Sequence, residues 1–421
     1  MDFINQLFSL GGSTIVIVGA FLICLIGYAI GHIQVKGICL GTAGVFLVAL
    51  LFGYLFTLPG LQEIPLLSKF YVEDSSSSVI ANYKFFESIG LILFVTSVGF
   101  IAGPSFFHNI KKNAKSYVPL GALIIVIGAG LALVFALLPG VGADFSNGIL
   151  SGALTSTPAF SAAKQVAQNE GLVALGHAIA YPFGVIGVVL FVQIVPHLVH
   201  ANMQKERQAI KIMEVEKDVV KTNGKKYTLF DEFGLASFGL VVVLGILFGS
   251  IKIPLTGDGF NGACFSLGNT GGPLILALVL GHFGHIGHIS MKIPENVLKL
   301  FREFGLALFL LGAGVEGGVE LVAQIKASPY GGMLILYGFL AGMLMTLMPM
   351  LVGYVFAKYV FKLPLLNDLG SLTGGMTSTP ALGTLVGVAG TDDVASAYAA
   401  TYPIALVLIV LASNFIGTLV R

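Results

Sequence analysis

Apolar positions in this chain form continuous runs close to twenty residues long, separated by short polar intervals. The runs fall at about 13–31, 38–58, 87–103, 117–138 and 172–198, then at 233–250, 270–284, 301–321, 330–357 and 394–419. A helix needs roughly 20 apolar residues to cross a hydrocarbon core, so each run predicts a membrane-spanning helix. The runs do not alternate, which excludes a β-barrel. Two intervals break the pattern, near 144–165 and 367–390. They are too polar and glycine-rich for a lipid-facing helix, yet too apolar for a surface loop. A re-entrant hairpin covered by protein satisfies both conditions.

The pattern is also duplicated. Thr155-Ser156-Thr157-Pro158 recurs as Thr377-Ser378-Thr379-Pro380, and Tyr181-Pro182 recurs as Tyr402-Pro403. Gly90 and its neighbours 89–94 match the stretch 304–309 around Gly305. The predicted fold class is therefore an all-α polytopic membrane protein. Its two repeats each hold about five transmembrane helices and one re-entrant hairpin. The first repeat spans 1–200, a polar linker spans 201–232, and the second repeat spans 233–421. The linker holds seven of the 22 Lys and Arg residues. With the linker cytoplasmic, the loop of Lys111, Lys112 and Lys115 also falls inside, as do Lys292, Lys299, Lys358 and Lys362. That bias satisfies the positive-inside rule and places both termini on the periplasmic face of a bacterial inner membrane. An odd number of spans per repeat then gives the repeats opposite topology, the plan of many secondary transporters.

Composition agrees. Apolar residues make up 56% and charged ones 10%, against about 25% charged in soluble domains. Mean hydropathy is +0.93. A formal charge of +1 without a basic block gives no sign of a nucleic-acid partner. Cys24, Cys39 and Cys264 lack paired spacing and are expected to pack as small apolar residues. The first run lacks a positive leader and a cleavage site, so it is expected to be a span and not a signal peptide. No Gly-x-Ser-x-Gly elbow, zinc-protease motif or paired Asp occurs in the spans, so no enzyme is predicted. A hydrolase would need Ser156 or Ser378 with a base that the sequence does not supply.

The candidate chemistry lies in the doubled motif. Thr157 or Thr379 is expected to cap a helix whose first residue is Pro158 or Pro380. Two helix N-termini aimed at the bilayer centre attract an anion without a buried Lys or Arg. Hydroxyls of Thr155, Ser156, Thr157, Thr377, Ser378 and Thr379, with Ser151 and Thr373 one turn earlier, both donate and accept, which suits a carboxylate or zwitterion. Gly152, Gly374 and Gly375 permit close backbone approach at the breaks. Tyr181 and Tyr402 precede mid-span prolines, which either free carbonyls to line a cavity or simply kink the helix. Intramembrane charge marks Glu316 and Arg302. Glu316 either carries a proton or cation, or caps the end of its span. Arg302 either reaches a substrate carboxylate or anchors the span at the cytoplasmic face. His282, His285 and His288 are expected in an interfacial loop and not at a metal. No cofactor is implied, and the coupling ion, sodium or proton, stays open.

The doubled Thr-Ser-Thr-Pro-Ala motif, the glycine-rich span before it and the downstream Tyr-Pro resemble the bacterial aspartate:alanine exchanger family. The resemblance covers both repeats and omits only 201–232. The motif falls on 155–159 and 377–382, with Phe160 in the first copy where Leu is usual. It implies an inner-membrane carrier that exchanges amino acids or dicarboxylates such as aspartate, alanine or succinate. Many members carry two soluble regulatory domains between the repeats, which this linker is too short to hold; the chain reads either as a natural short variant or as a shortened form of a longer member. The expected protein is thus an antiporter of small carboxylates, working by alternating access with an elevator-like movement, in contact with lipid and dimeric. An ion-coupled symporter and an anion channel are the alternatives.

Overall fold

A computed structural model describes residues 13–33, 42–64, 67–73, 76–214, 231–254, 259, 264–327 and 331–419. The first repeat contains α1 (Ser13–Gly31), α2 (Ala43–Phe56), α3 (Ser78–Ala136), α4 (Gly142–Ala153), α5 (Thr157–Val166) and α6 (Glu170–Leu198). A helix of the linker follows, α7 (Met203–Glu214). The second repeat contains α8 (Leu235–Gly249), α9 (Gly268–Phe283), α10 (Glu295–Ala327), α11 (Gly331–Val355), α12 (Leu365–Gly375), α13 (Thr379–Ala389) and α14 (Val394–Leu419). Two antiparallel pairs of two-residue strands, β1–β2 (Ile253–Pro254 with Cys264–Phe265) and β3–β4 (His285–Ile286 with Ile289–Ser290), are the exceptions to an otherwise helical fold.

Among the described residues, six helical segments are long and apolar enough to cross a membrane: Thr14–Gly31, Ser78–Ile101, Lys115–Ala136, Gly171–Leu198, Ile335–Val360 and Val394–Gly417. The expected spans at 38–58, 233–250 and 270–284 appear as the shorter apolar helices Gly44–Phe56, Leu235–Gly249 and Gly271–Phe283. The expected span at 301–321 lies inside α10, which is not among the six. Glu295, Lys299, Arg302, Glu303 and Glu316 share that helix, and several are paired within the fold.

A second difference concerns the loop expected around Lys111, Lys112 and Lys115. The chain does not leave the helix there, and α3 runs unbroken for 59 residues through Pro104 and Pro119. Local hydropathy registers the polar stretch but not the backbone, which stays helical because nothing in 104–116 but Pro104 opposes it. The linker is likewise more structured than its polarity implies, since Ile210 of α7 is fully buried.

The two repeats cross at matched glycines. A Cβ placed on Gly90 of α3 would lie 2.3 Å from Phe309 N and 2.5 Å from Gly305 O of α10. One placed on Gly305 would lie 2.7 Å from both Gly90 O and Phe94 N. Each helix thus offers the other the same glycine, and only the missing side chains allow that approach.

Candidate functional site

Both Thr-Ser-Thr-Pro copies sit at a helix break, and the two breaks are built alike. After α4 the Thr155 N–H donates to Gly152 O (2.9 Å) and the Ser156 N–H to Ser151 O (2.8 Å). After α12 the Thr377 N–H donates to Gly374 O (3.1 Å) and the Ser378 N–H to Thr373 O (3.0 Å). This pair of bonds is the Schellman closure, which requires a left-handed residue and normally recruits glycine. Here Thr155 and Thr377 take that place with φ of 53° and 49°. A β-branched residue at positive φ is a real outlier, and such strain persists only where the surroundings impose it.

The surroundings are each other. Thr377 Oγ1 donates to Leu154 O at 2.6 Å, and Thr155 Oγ1 donates to Thr377 O at 3.3 Å. The two breaks therefore meet tip to tip, 222 residues apart in sequence, through the hydroxyls that glycine would lack. Each tip is seated on the last long helix of its own repeat. A Cβ on Gly152 would lie 2.5 Å from His177 O, and one on Gly374 would lie 2.5 Å from Tyr398 O. On Gly375 it would strike Ile124 Cδ1 at 2.3 Å.

The capping residue differs from expectation. Ser156 and Ser378, not Thr157 and Thr379, hold the N-cap positions of α5 and α13, so the threonines are the first helical residues and Pro158 and Pro380 the second. The Schellman turn consumes one residue more than a simple cap, which shifts the register. Ser156 Oγ accepts from Ala159 N at 3.3 Å. Its counterpart is different: Ser378 Oγ is wholly buried and has no partner among the described residues. The hydroxyl of Thr379, also buried, bonds to Tyr398. Ser151 Oγ donates to Gly148 O and lies 2.9 Å from His177 Nδ1, while Thr373 Oγ1 donates to Gly370 O.

Two clefts flank the tips. The first, of about 270 Å³, lies between α2, α3, α5, α6 and α10 and is lined by Lys84, Glu87, Lys164, His177, Tyr181 and Glu316. The second, of about 460 Å³, lies beside α13 at the far end of α6 and is lined by Gln193, His197, Arg302, Glu303 and Thr384. Glu316 lies within α10 and pairs with Lys84 Nζ at 2.8 Å. Arg302 is buried and bound by Asp392 and Glu303. Tyr181 faces the first cleft in a stack with His177, whose ring centroid is 5.3 Å away, and Tyr402 stacks on Tyr398 at the same distance. Pro182 and Pro403 are accommodated inside continuous helices.

Lys84, Lys164, His177 and Tyr398 were not singled out by the sequence reading. His177 and Tyr398 each precede the Tyr-Pro tyrosine by four residues, one helical turn on the same face, and that spacing is the signal that would have found them. Lys84 and Lys164 carry no such mark, because only the packing of α3 and α5 turns them into one cleft. His282 closes α9, and His285 and His288 belong to the β3–β4 ribbon. Among the described residues no group of His, Cys, Asp or Glu is arranged to hold a metal.

Relatives of this architecture are transporters by name. An uncharacterized transporter of Bacteroides fragilis is 27% identical, with 95% of this chain and 97% of the relative aligned. One from Rhodopirellula baltica is 25% identical over 95% and 99% of the two chains. A putative transport protein of Dichelobacter nodosus is 24% identical over 94% and 97%. These alignments run over 561, 562 and 559 positions, more than the 421 residues of this chain, so the relatives carry sequence that it lacks. The family model described as a predicted permease membrane region matches residues 19–197 and 237–418, both repeats and neither end of the linker. The chain belongs to the aspartate:alanine exchanger family of membrane permeases.

Proposed function

We propose that this protein is a secondary transporter that exchanges small carboxylates, acidic amino acids or dicarboxylates, across the bacterial inner membrane by alternating access. The observation that carries the reading is the unpartnered, buried Ser378 hydroxyl at the N-terminus of α13, where two broken helices meet. A buried hydroxyl without a partner is costly, and a helix N-terminus adds free N–H donors and a partial positive charge. Both are satisfied by an anionic oxygen. In this reading α4–α5 and α12–α13 are re-entrant hairpins of two inverted repeats, which the crossing of Gly90 with Gly305 and of Thr155 with Thr377 supports. The hairpins and their neighbours move as a unit against α1, α2, α8 and α9. Exposed Phe21, Leu25, Val243 and Leu247 suit lipid or a second copy.

The test is counterflow in proteoliposomes. Labelled aspartate or succinate enters only when counter-substrate is inside, and uptake into empty vesicles removes the exchange reading. Ser378→Ala weakens binding about tenfold, roughly 1.4 kcal/mol, without loss of thermal stability. Unchanged affinity moves the site elsewhere.

A second reading, proton-coupled symport, has its own observation. Glu87 hydrogen-bonds to Glu316 in the first cleft. Two carboxyl groups share a hydrogen bond only through a proton, because carboxylates have no donor. Uptake into empty vesicles driven by a pH gradient, abolished by Glu316→Gln, selects it.

A further inference from the structure

The two clefts differ in how their cations are partnered. In the first, Lys84 is committed to Glu316. Among the described residues Lys164 has no carboxylate partner; its ammonium lies over the face of Phe160, 4.6 Å from the ring centroid, with His177 nearby. Phe160 in turn stacks on His177 at 4.2 Å, and His177 on Tyr181, so the ammonium rides on a rigid aromatic column at the cleft wall. A cation over an aromatic face is held in position yet keeps its N–H donors. The second cleft has no equivalent. The position 222 residues after Lys164 is Val386, and Arg302 is already bound by Asp392 and Glu303.

We propose that Lys164 is a capture site for the substrate carboxylate on the first-cleft side of the membrane, so that the carrier binds anions more tightly from that side than from the other. The inference rests on the carboxylate-transport reading and adds a sidedness to it. The other charged and titratable groups of the cleft are Lys84 and Glu87 on α3, His177 and Tyr181 on α6 and Glu316 on α10. Lys84 offsets Glu316, which leaves Lys164 as the cation available to an incoming anion. The aromatic column explains why a lysine serves here without a carboxylate to hold it.

Reconstitution in vesicles of both orientations tests this with labelled succinate or aspartate. From the first-cleft side, Lys164→Gln raises KM about tenfold with kcat within twofold, and Lys164→Arg restores most of it. From the opposite side KM stays at the wild-type value. Raising the salt concentration raises KM of the wild type from the first-cleft side and leaves that of Lys164→Gln flat, which a purely structural role for Lys164 would not produce. An unchanged KM, an equal rise from both sides, or a loss confined to kcat overturns the proposal. If Lys164→Gln proves unstable in a thermal melt, the Arg variant decides by the same salt dependence. A wild-type protein that exchanges no carboxylate overturns the transport reading itself, a result distinct from a normal exchanger with an indifferent Lys164.

Discussion

The two broken-helix units share their turn chemistry but are closed at their open ends by different means. The first closes on itself: Asp144, in the first turn of α4, accepts from the N–H groups of Gln168 (3.1 Å) and Asn169 (2.8 Å), just past the end of α5. The second has Leu366 at the matched position, and the carboxylate of its first turn, Asp368, is buried, with no hydrogen-bond partner for Oδ1 among the described residues. Its closure comes from the linker. Glu206 of α7 accepts from Leu365 N at the start of α12 (3.0 Å), and Arg207 donates to Ala389 O at the end of α13. An acid at a helix N-terminus and a base at a helix C-terminus are each placed as the backbone dipoles favour. One unit is therefore self-contained, while the other answers to the segment that joins the repeats.

That difference can be broken in stages. The largest effect is expected at Asp392, which follows the second unit and is bound by Arg302 and Lys299 of α10. Arg302→Ala leaves the mostly buried Asp392 carboxylate with only the longer Lys299 pair and should cost about 3 kcal/mol, read as a lowered melting temperature in detergent. Next come the tips. Thr377→Val removes the 2.6 Å bond to Leu154 O and should cost about 1–2 kcal/mol, more than Thr155→Val with its 3.3 Å bond. The double variant sharpens the point: a coupling above about 0.5 kcal/mol means the tips act as one joint, and strict additivity means they do not. Thr→Gly at either position also relieves left-handed strain of roughly 1 kcal/mol, so it should destabilise less than Val.

The smallest effect tests the closures themselves. Glu206→Gln or Arg207→Gln should each cost about 1 kcal/mol and speed amide exchange at the ends of α12 and α13 while leaving α4 and α5 protected. Asp144→Asn should do the reverse. Equal exchange changes in both units from either substitution would mean that the closures are not separate.

Much of the site was legible in the chain. Thr-Ser-Thr-Pro marked both breaks to within a few residues, since Ser and Thr compete locally for backbone groups and Pro resists continuation of a helix. The capping register was missed because the left-handed threonine adds a residue to the turn, and such a conformation is not signalled by Thr. The ion pairs of Glu316 and Arg302 were missed for another reason. Their partners, Lys84 and Asp392, are distant in sequence, and no local pattern names a distant counter-ion. The continuity of α3 through its polar stretch shows the limit of hydropathy, which senses solvent preference and not whether the backbone turns.

What the sequence determined by itself is the solvent and the bookkeeping: a bilayer-length run of apolar residues has few fates, and a repeat of period 221–222 announces two copies of one unit. Only the tertiary structure decided that the two Thr-Ser-Thr-Pro turns touch, that Ser156 is satisfied while Ser378 is not, and that one unit is fastened by the linker. Those facts depend on contacts between residues some 160 to 220 positions apart. Two copies of a motif carry the same local forces, so sequence predicts them alike. Their surroundings differ, and a buried polar group is judged by what surrounds it.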